Sequence, residues 1–182
     1  MEDYAYILDY LPQGRPDEKS FRRVPLAIAV GEKEFKLFEL IPKPNVSLII
    51  GERIYIGKDI EKREKIEHVK RRIAYGELTN AAKSELPYVL EEIVKRREED
   101  FVRFFNEATP ITTRLHMLEL LPGLGKKTMW AILEERKKGP FKDFEDLRSR
   151  VKLTHHPVKL IVNRIIYELQ HRYEKYKIFV AR

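Results

Sequence analysis

The spacing of the apolar residues changes once along the chain, near Thr79, and this change constrains the fold most strongly. Before it, short segments alternate apolar and polar residues and contain many β-branched and aromatic side chains, a pattern typical of strands. After it, apolar residues recur three and four positions apart, which is typical of helices that bury one face. The sequence therefore predicts an α+β protein of two domains, with a small β-barrel first and an all-α domain second.

The first part of the chain contains four short predicted strands and one ambiguous segment. The stretch EHVKRRIAY, residues 67–75, fits either a strand or a short helix, and we favour a fifth strand. Five short strands with no long helix between the first four predict a closed or nearly closed barrel, like an OB-fold, over residues 1–75. The four strands are expected at 4–8, 25–31, 34–41 and 47–57, with a polar loop at 11–23 and a turn at 42–46.

The rest of the chain is predicted to be helical. Residues 76–110 fit a helical connector, either one long helix or two stacked ones, whose charges form a solvated face. Residues 111–182 form the predicted all-α domain, in which Gly139-Pro140 ends one helix and Asp143 caps the next. Its helices are expected at about 112–121, 126–138, 143–151 and 157–173, followed by a tail at 175–182 that is either a last strand or a frayed end.

Basic residues are concentrated in the second part of the chain. Residues 1–110 contain 20 Lys and Arg against 21 Asp and Glu, whereas residues 111–182 contain 16 against 8. This excess favours a polyanionic partner, nucleic acid before membrane, because no basic amphipathic stretch offers an obvious insertion face. The alternative is that the excess charge serves solubility alone.

Composition excludes several classes of site. The chain has no cysteine, which rules out disulfides, cysteine–zinc sites, cysteine-ligated iron–sulfur clusters and thiol catalysis. No apolar run approaches the roughly 18 residues of a membrane span, and the N-terminus lacks the basic and apolar regions of a signal peptide. We therefore expect a cytoplasmic protein with no membrane partner. Scarce Gln and Asn beside abundant Lys, Arg and Glu favour a thermophilic source.

The stretch LPGLGKKT, residues 121–128, lies between two segments that are both predicted to be helical. Its two glycines allow a tight turn that presents backbone amides at the start of the next helix, where the helix dipole also favours an anion. The lysines add positive charge and the threonine adds a hydroxyl. The pattern predicts a phosphate site, and the alternative is an ordinary glycine helix end. The predicted contacts are Gly123, Leu124, Gly125, Lys126, Lys127 and Thr128.

Together with the following MWAILEERKKGPFKDFEDL, this stretch resembles the helix-hairpin-helix nucleic-acid-binding motif in the form found in bacterial DNA-uptake proteins. The resemblance covers about 111–151 and includes the GPF-x-x-x-EDL continuation. It implies that the amides of Gly123, Gly125 and Lys126 bind phosphates without reading base sequence. Some members of that family hold a monovalent cation on hairpin carbonyls, which here would be those of Leu121 and Leu124. No other cofactor is expected.

Such motifs often occur as a pair related by pseudo-twofold symmetry. The second hairpin would fall at KLTHHPVK, residues 152–159, which contains no glycine and so lacks the amide cradle. The candidate phosphate contacts there are His155, His156 and Lys159, although we favour a polar turn for the two histidines. The resemblance therefore does not extend to symmetrical duplex binding.

Over its whole length the chain also resembles an uncharacterised archaeal family that joins a barrel-like N-terminal domain to this motif. Members of that family carry only a general RNA-binding description, with no established activity, so the resemblance favours RNA over DNA. The predicted function is therefore non-catalytic nucleic-acid binding. The alternatives are a DNA-binding or repair-associated protein, or a scaffold whose barrel docks a protein partner.

Two further features are candidates for nucleic-acid contact. Lys70, Arg71 and Arg72 form a basic cluster at the end of the predicted barrel, and on a strand two of the three share a face. They line either a nucleic-acid groove or a solvated edge. Trp130 is the only tryptophan, and an exposed tryptophan stacks well on a base. We favour packing of Trp130 against the connector helices, because aromatic side chains dominate cores.

An enzymatic alternative follows from the same motif. LPG-x-G-x-KT also occurs in helix-hairpin-helix DNA glycosylases, where the lysine that matches Lys127 acts as a Schiff-base nucleophile and a catalytic aspartate follows. The downstream acids here are Asp143, Glu145 and Asp146, which fit the capping pattern of the next helix instead. The extra helical domain, aspartate context and cluster cysteines of that family are missing. We therefore expect no enzymatic activity.

Overall fold

The computed structural model describes residues 1–16 and 24–182, so that much of the predicted loop at 11–23 lies outside the described residues. Within these ranges the chain is a mixed α/β protein with five strands and five α-helices. The strands are β1 (Tyr4–Leu11), β2 (Leu26–Gly31), β3 (Leu37–Pro42), β4 (Arg53–Tyr55) and β5 (Ile66–Ile73). The α-helices are α1 (Asn80–Arg96), α2 (Glu98–Glu107), α3 (Lys126–Lys137), α4 (Phe144–Arg150) and α5 (Pro157–Gln170).

The five strands form one antiparallel sheet in the order β4-β1-β2-β3-β5. The expected number of strands is confirmed, and so is the choice of a strand at 67–75. A bulge interrupts β1 between Ile7 and Asp9, and two bulges in β5 lie opposite Glu39–Leu40 and Ile41–Pro42 of β3. Because bulges bend a strand and increase its twist, the sheet curls into a half-barrel. Within the described residues β4 and β5 are the two edge strands and do not pair with each other. The sheet is therefore open, and the closed form of the predicted barrel is not present.

The core of the sheet follows from its sequence pattern. All six residues of the central strand β2 are buried, which explains why LAIAVG is a continuous apolar run rather than an alternating one. The flanking strands contribute apolar side chains to one shared cluster. Its buried members are Ala5, Ile7, Ala27, Ala29, Phe38, Leu40, Ile54, Ile56 and Ile66.

The predicted connector forms two consecutive helices, α1 and α2. The hydroxyl of Thr79 accepts a hydrogen bond from the amide of Ala82 at 3.1 Å, so Thr79 caps α1. Ser84 and Pro87 both lie inside the helix.

By contacts, the described chain divides into two compact units. One contains Met1–Val89 and Glu168–Arg182, and the other contains Leu90–Tyr167. The sequence-based division into 1–75, 76–110 and 111–182 stays a prediction.

The predicted helix at 112–121 is wrong over most of its length. Residues 111–116 form a turn, and only Met117–Leu120 form a single 3₁₀ helix. His116 takes an extended conformation, and its Nδ1 accepts a hydrogen bond from the amide of Leu118 at 3.0 Å. Side chains that bond to nearby amides in this way compete with α-helix formation, and apolar spacing alone does not reveal that competition.

The three later helices are confirmed as α3, α4 and α5. Gly139 follows α3, and the carboxylate of Asp143 accepts the amide of Asp146 at 2.7 Å, which caps α4 as its spacing predicted. The predicted apolar stripe of α5 is largely buried. Its buried members are Val158, Ile161, Val162 and Ile165.

The C-terminal tail, residues 175–182, is neither the predicted strand nor a frayed end. The buried carboxylate of Glu168 accepts hydrogen bonds from the amides of residues 178–180 at 2.9–3.1 Å. The guanidinium of Arg72 on β5 donates to the carbonyls of residues 181 and 182. Side chains thus supply the hydrogen bonds that a neighbouring strand would otherwise supply.

Among the residues that the structure describes, no helix is both long enough and apolar enough to cross a membrane.

Candidate nucleic-acid interface

The hairpin, residues 121–128, connects the 3₁₀ helix to α3. Leu121 and Leu124 are buried and anchor it, and the amide of Leu124 donates to the carbonyl of Leu121 at 3.1 Å. Gly123 has a φ of 90°, a conformation that side chains disfavour. A Cβ on Gly123 would also lie 2.9 Å from Cδ2 of His155. The fold itself therefore requires glycine at this position.

Gly125 differs from Gly123, because the fold does not require it. Its φ of −85° and ψ of 177° are accessible to every residue type, and a Cβ there would meet no atom within 4 Å. Gly125 is the N-cap of α3, where Ser, Asp or Asn would cap the helix better. The missing side chain leaves the start of α3 open to close approach by another molecule.

The start of α3 carries backbone amides without acceptors. The amide of Met129 donates to the carbonyl of Gly125 at 2.9 Å, and it is the first amide of the helix to do so. Among the described residues, no acceptor pairs with the amides of Lys126, Lys127 and Thr128. These donors, together with the positive end of the helix dipole, form a cradle suited to an anion.

Two lysine side chains flank this cradle. Lys126 and Lys127 are exposed, and neither side chain has a hydrogen-bond or ion-pair partner in the described ranges. By contrast, Lys137 and Lys138 at the other end of α3 pair with Glu134 and Glu135. The unpaired positive charge of α3 therefore lies beside its free amides.

The loop predicted as a second hairpin lies against the first. His155 is the side chain nearest to Gly123, which brings two predicted site residues together. His156 instead caps α5, because its Nδ1 accepts the amide of Val158 at 3.1 Å. Lys159 is exposed on α5. The loop forms the favoured polar turn and places the ring of His155 beside Gly123, without a second cradle.

A groove of about 470 Å³ lies beside the hairpin, between the turn at 110–116 and α3. Trp130 lines it and is 59% exposed, so the expectation that Trp130 packs against the connector is wrong. Met129 and Ile132 fill the buried face of α3, and each residue is rotated by about 100° from the one before it. That rotation turns Trp130 away from the core and into the groove.

The basic cluster of β5 lies on an edge strand of the half-barrel and in the other compact unit. The guanidinium of Arg71 donates to Glu77 and to the fully buried Glu39, and both carboxylates raise the pKa of Arg71. Arg72 binds the C-terminal tail, as described above. Lys70 also has an interaction within the protein. These side chains therefore already have structural roles.

The downstream acids of the enzymatic alternative have local partners. Asp143 caps α4, as predicted, and Asp146 pairs with Arg150 at 3.2 Å. Glu145 pairs with Arg148 at 2.9 Å. Each carboxylate thus serves the fold of α4, and the absence of catalysis stays a prediction.

The predicted cation position has a competing charge nearby. Arg164 is buried, and its guanidinium donates to the carbonyl of Leu120 at 3.3 Å. The carbonyl of Leu121 already accepts the amide of Leu124. A protein cation therefore already bonds to the neighbouring carbonyl of Leu120, and a bound monovalent ion at Leu121 and Leu124 stays a prediction.

Sequence reasoning missed three residues around the hairpin. Arg164 lies on the apolar face of α5, while Arg114 and His116 fall inside a predicted helix that does not form. His116 is 6% exposed, and its Nε2 is the buried side-chain nitrogen without a hydrogen-bond partner among the described residues. Burial, with the charge of Arg136, lowers the pKa of His116. A polar residue within an apolar stripe was the available signal.

These features define a mixed α/β protein with a curled antiparallel half-barrel and an exposed basic turn at a helix start. The chain belongs to the family described as "Protein of unknown function (DUF655)", whose model matches residues 1–181. It is 52% identical over 180 residues to "Uncharacterized protein MJ0038" of Methanocaldococcus jannaschii, which covers 98% of this chain and 80% of that protein. The expected resemblance to an uncharacterised archaeal family is confirmed.

A solved structure has the same fold. The chain matches the crystal structure of Af1531 from Archaeoglobus fulgidus with a TM-score of 0.92 and 53% sequence identity. The match covers 99% of this chain and 100% of that chain. Both relatives come from thermophilic archaeal hosts.

Proposed function

We propose that this protein is a non-catalytic nucleic-acid-binding protein that holds the phosphate backbone at the hairpin of residues 121–128. In this proposal the hairpin is a helix-hairpin-helix module whose first helix is shortened to one 3₁₀ turn, and the half-barrel is an OB-like scaffold. RNA is preferred to DNA on the resemblance of the whole chain to a family with an RNA-binding description. The protein acts in the cytoplasm.

The observation that carries the proposal is the glycine at position 125. Its backbone conformation suits other residues, and the space beside it is open, so the fold does not require glycine there. A bound backbone does give a reason for glycine, because a phosphate reaches the amides of Lys126 and Lys127 only if no side chain stands in front of them. The two exposed, unpaired lysines beside these amides match the charge of that ligand.

Binding of this kind fixes position and affinity but does not read bases. Amides and lysines bond to phosphate oxygens, which are the same at every nucleotide. The affinity is therefore expected to fall steeply with salt, as cations are released from the nucleic acid. Weak, salt-insensitive binding would instead favour the scaffold alternative.

The test is a fluorescence titration of the intact protein with labelled structured RNA, duplex DNA and single strands at several salt concentrations. The test variant combines Gly125→Ala, Lys126→Ala and Lys127→Ala. The matched control combines Lys138→Ala and Lys142→Ala, which removes the same charge from the segment between α3 and α4. Melting curves establish that both variants fold. Loss of binding in the test variant alone supports the proposal, and equal binding by parent and test variant contradicts it.

A further inference from the structure

The groove beside the hairpin has features that the phosphate cradle alone does not use. Its wall on α3 is a single stripe of Lys126, Trp130, Leu133 and Lys137, at positions that share one helix face. The opposite wall is the turn that contains Thr112 to Leu115. The groove is continuous with the hairpin, because Lys126 belongs to both.

The groove combines an exposed aromatic ring with positive charge. Trp130 is 59% exposed, although a tryptophan that contributes to a core would be buried. Met129 and Leu133 place apolar surface beside the ring. Four basic residues and one acidic residue line the groove, namely Arg114, Lys126, Arg136 and Lys137 against Glu119.

Two of these cations are available to a ligand. The side chains of Arg114 and Lys126 are exposed and have no partner among the described residues. Arg136 instead donates to the carbonyls of Phe105 and Ala108, and Lys137 pairs with Glu134. The free charges therefore stand on opposite walls of the groove, with the tryptophan beside them.

The lining also includes an unused hydrogen-bond donor. Nδ1 of His116 accepts the amide of Leu118, which places the ring proton on Nε2. Nε2 is buried and has no partner in the described part of the chain. An unpaired buried donor is costly, and ligand acceptors commonly satisfy such groups in binding sites.

We infer that the groove binds an unpaired base of a single-stranded RNA segment, stacked on Trp130, while an adjacent phosphate lies in the hairpin cradle. This inference rests on the proposed phosphate function and adds the class of substrate to it. Lys126 and Trp130 are four residues apart on α3, an axial rise of about 6 Å, which one nucleotide spans. A base paired within a duplex presents no free face to the ring, so duplexes engage the cradle alone.

The test uses Trp130 as its own reporter, because it is the only tryptophan in the chain. Tryptophan emission and a label on the RNA are followed in the same titration, with an unstructured RNA and with a blunt RNA duplex of equal length. Trp130→Ala and Trp130→Phe are compared with the parent. Tyr88→Ala is the matched control, since Tyr88 is an aromatic residue of similar exposure, 68%, on α1.

Unstructured RNA is expected to quench the emission in step with the label. Trp130→Ala should weaken the binding of unstructured RNA about tenfold and leave duplex binding within about twofold. Trp130→Phe should retain most of the affinity, and Tyr88→Ala should behave as the parent.

Two results overturn the inference. If the label saturates without quenching, or if Trp130→Ala affects both RNAs equally or neither, no base stacks on Trp130. In that case loss of binding on substitution of Lys126 and Lys127 keeps the phosphate function intact. If the parent binds no RNA or DNA at all, the inference and the proposed function fail together.

Discussion

Replacing Gly125 with aspartate should stabilise the protein and strongly weaken nucleic-acid binding at the same time. Gly125 is the N-cap of α3 in an extended conformation with open space around it, so an aspartate fits without strain. Its carboxylate would accept the amides of Lys127 or Thr128, which have no acceptor among the described residues. These are the same amides that the proposal assigns to phosphate.

Gly125→Asp should increase the free energy of unfolding and decrease the affinity for nucleic acid. Three effects raise the free energy of unfolding. A better cap contributes a few tenths of a kcal/mol, and the interaction of the carboxylate with the helix dipole contributes about 0.3–1 kcal/mol. The lower entropy of the unfolded chain contributes about 0.4–1 kcal/mol. We expect a gain of about 1 kcal/mol, or an increase of about 2–4 °C in melting temperature for a chain of this size. Losing two charge-assisted hydrogen bonds, at about 1.5 kcal/mol each, weakens binding about 100-fold.

Two further variants isolate the cause. Ala81→Asp makes the same charge change in the first turn of α1, where Ala81 is exposed, and should leave binding nearly unchanged. Gly123→Ala should destabilise the fold by about 1–3 kcal/mol, because of its φ of 90° and the nearby ring of His155. Differential scanning fluorimetry and RNA titration measure both quantities. Parent-like binding by Gly125→Asp would show that phosphate does not use these amides, and a lowered melting temperature would show that aspartate does not cap α3.

Three other outcomes follow from the structure. Burial and the charge of Arg136 lower the pKa of His116. The free energy of unfolding should therefore be highest above about pH 6.5 and should decrease as the pH falls below that value. Denaturant unfolding should show a flatter pH dependence for His116→Asn than for the parent. Glu168→Gln should cost about 2–4 kcal/mol and expose the C-terminal tail to trypsin, whereas an unchanged digestion pattern would argue against Glu168 as its anchor. Lys126→Ala should reduce the salt slope of RNA binding by about 0.7–0.9, and Lys138→Ala should not.

The fold was predictable where local pattern decides structure. The continuous apolar run of β2, the alternation in β4 and the Asp143 cap all have direct sequence signals, and the structure confirms each one. The curl of the sheet was only partly predictable, because it arises from bulges between residues 7 and 9 of β1 and in β5 opposite β3. A bulge depends on strand pairing, which one sequence does not display.

The errors occurred where a side chain replaces a backbone partner. Nδ1 of His116 accepts the amide of Leu118 and caps the 3₁₀ helix, whereas apolar spacing predicts an α-helix through residues 112–121. Glu168 holds the C-terminal tail in place of a neighbouring strand. In both cases the deciding hydrogen bond comes from a polar residue inside an apolar pattern.

The candidate site was predictable as a motif but not as a geometry. The hairpin residues were identified from glycine and lysine spacing, yet the two glycines have different roles that the spacing does not separate. The fold requires glycine at 123 because of its φ and the ring of His155, whereas it does not require glycine at 125. The exposure of Trp130 depends on which face of α3 the core covers. The sequence is compatible both with an exposed Trp130 and with a Trp130 that packs against the connector helices.

Amide chemical-shift mapping would show whether phosphate binds at the start of α3. The intact protein of 21.7 kDa is suited to two-dimensional NMR of isotope-labelled amides during titration with RNA. The account predicts that the amides of Gly123, Gly125, Lys126, Lys127 and Thr128 shift most, and that added salt reverses these shifts. If they stay unchanged while amides of β5 or of other surfaces shift, the hairpin is only a turn and the account is contradicted.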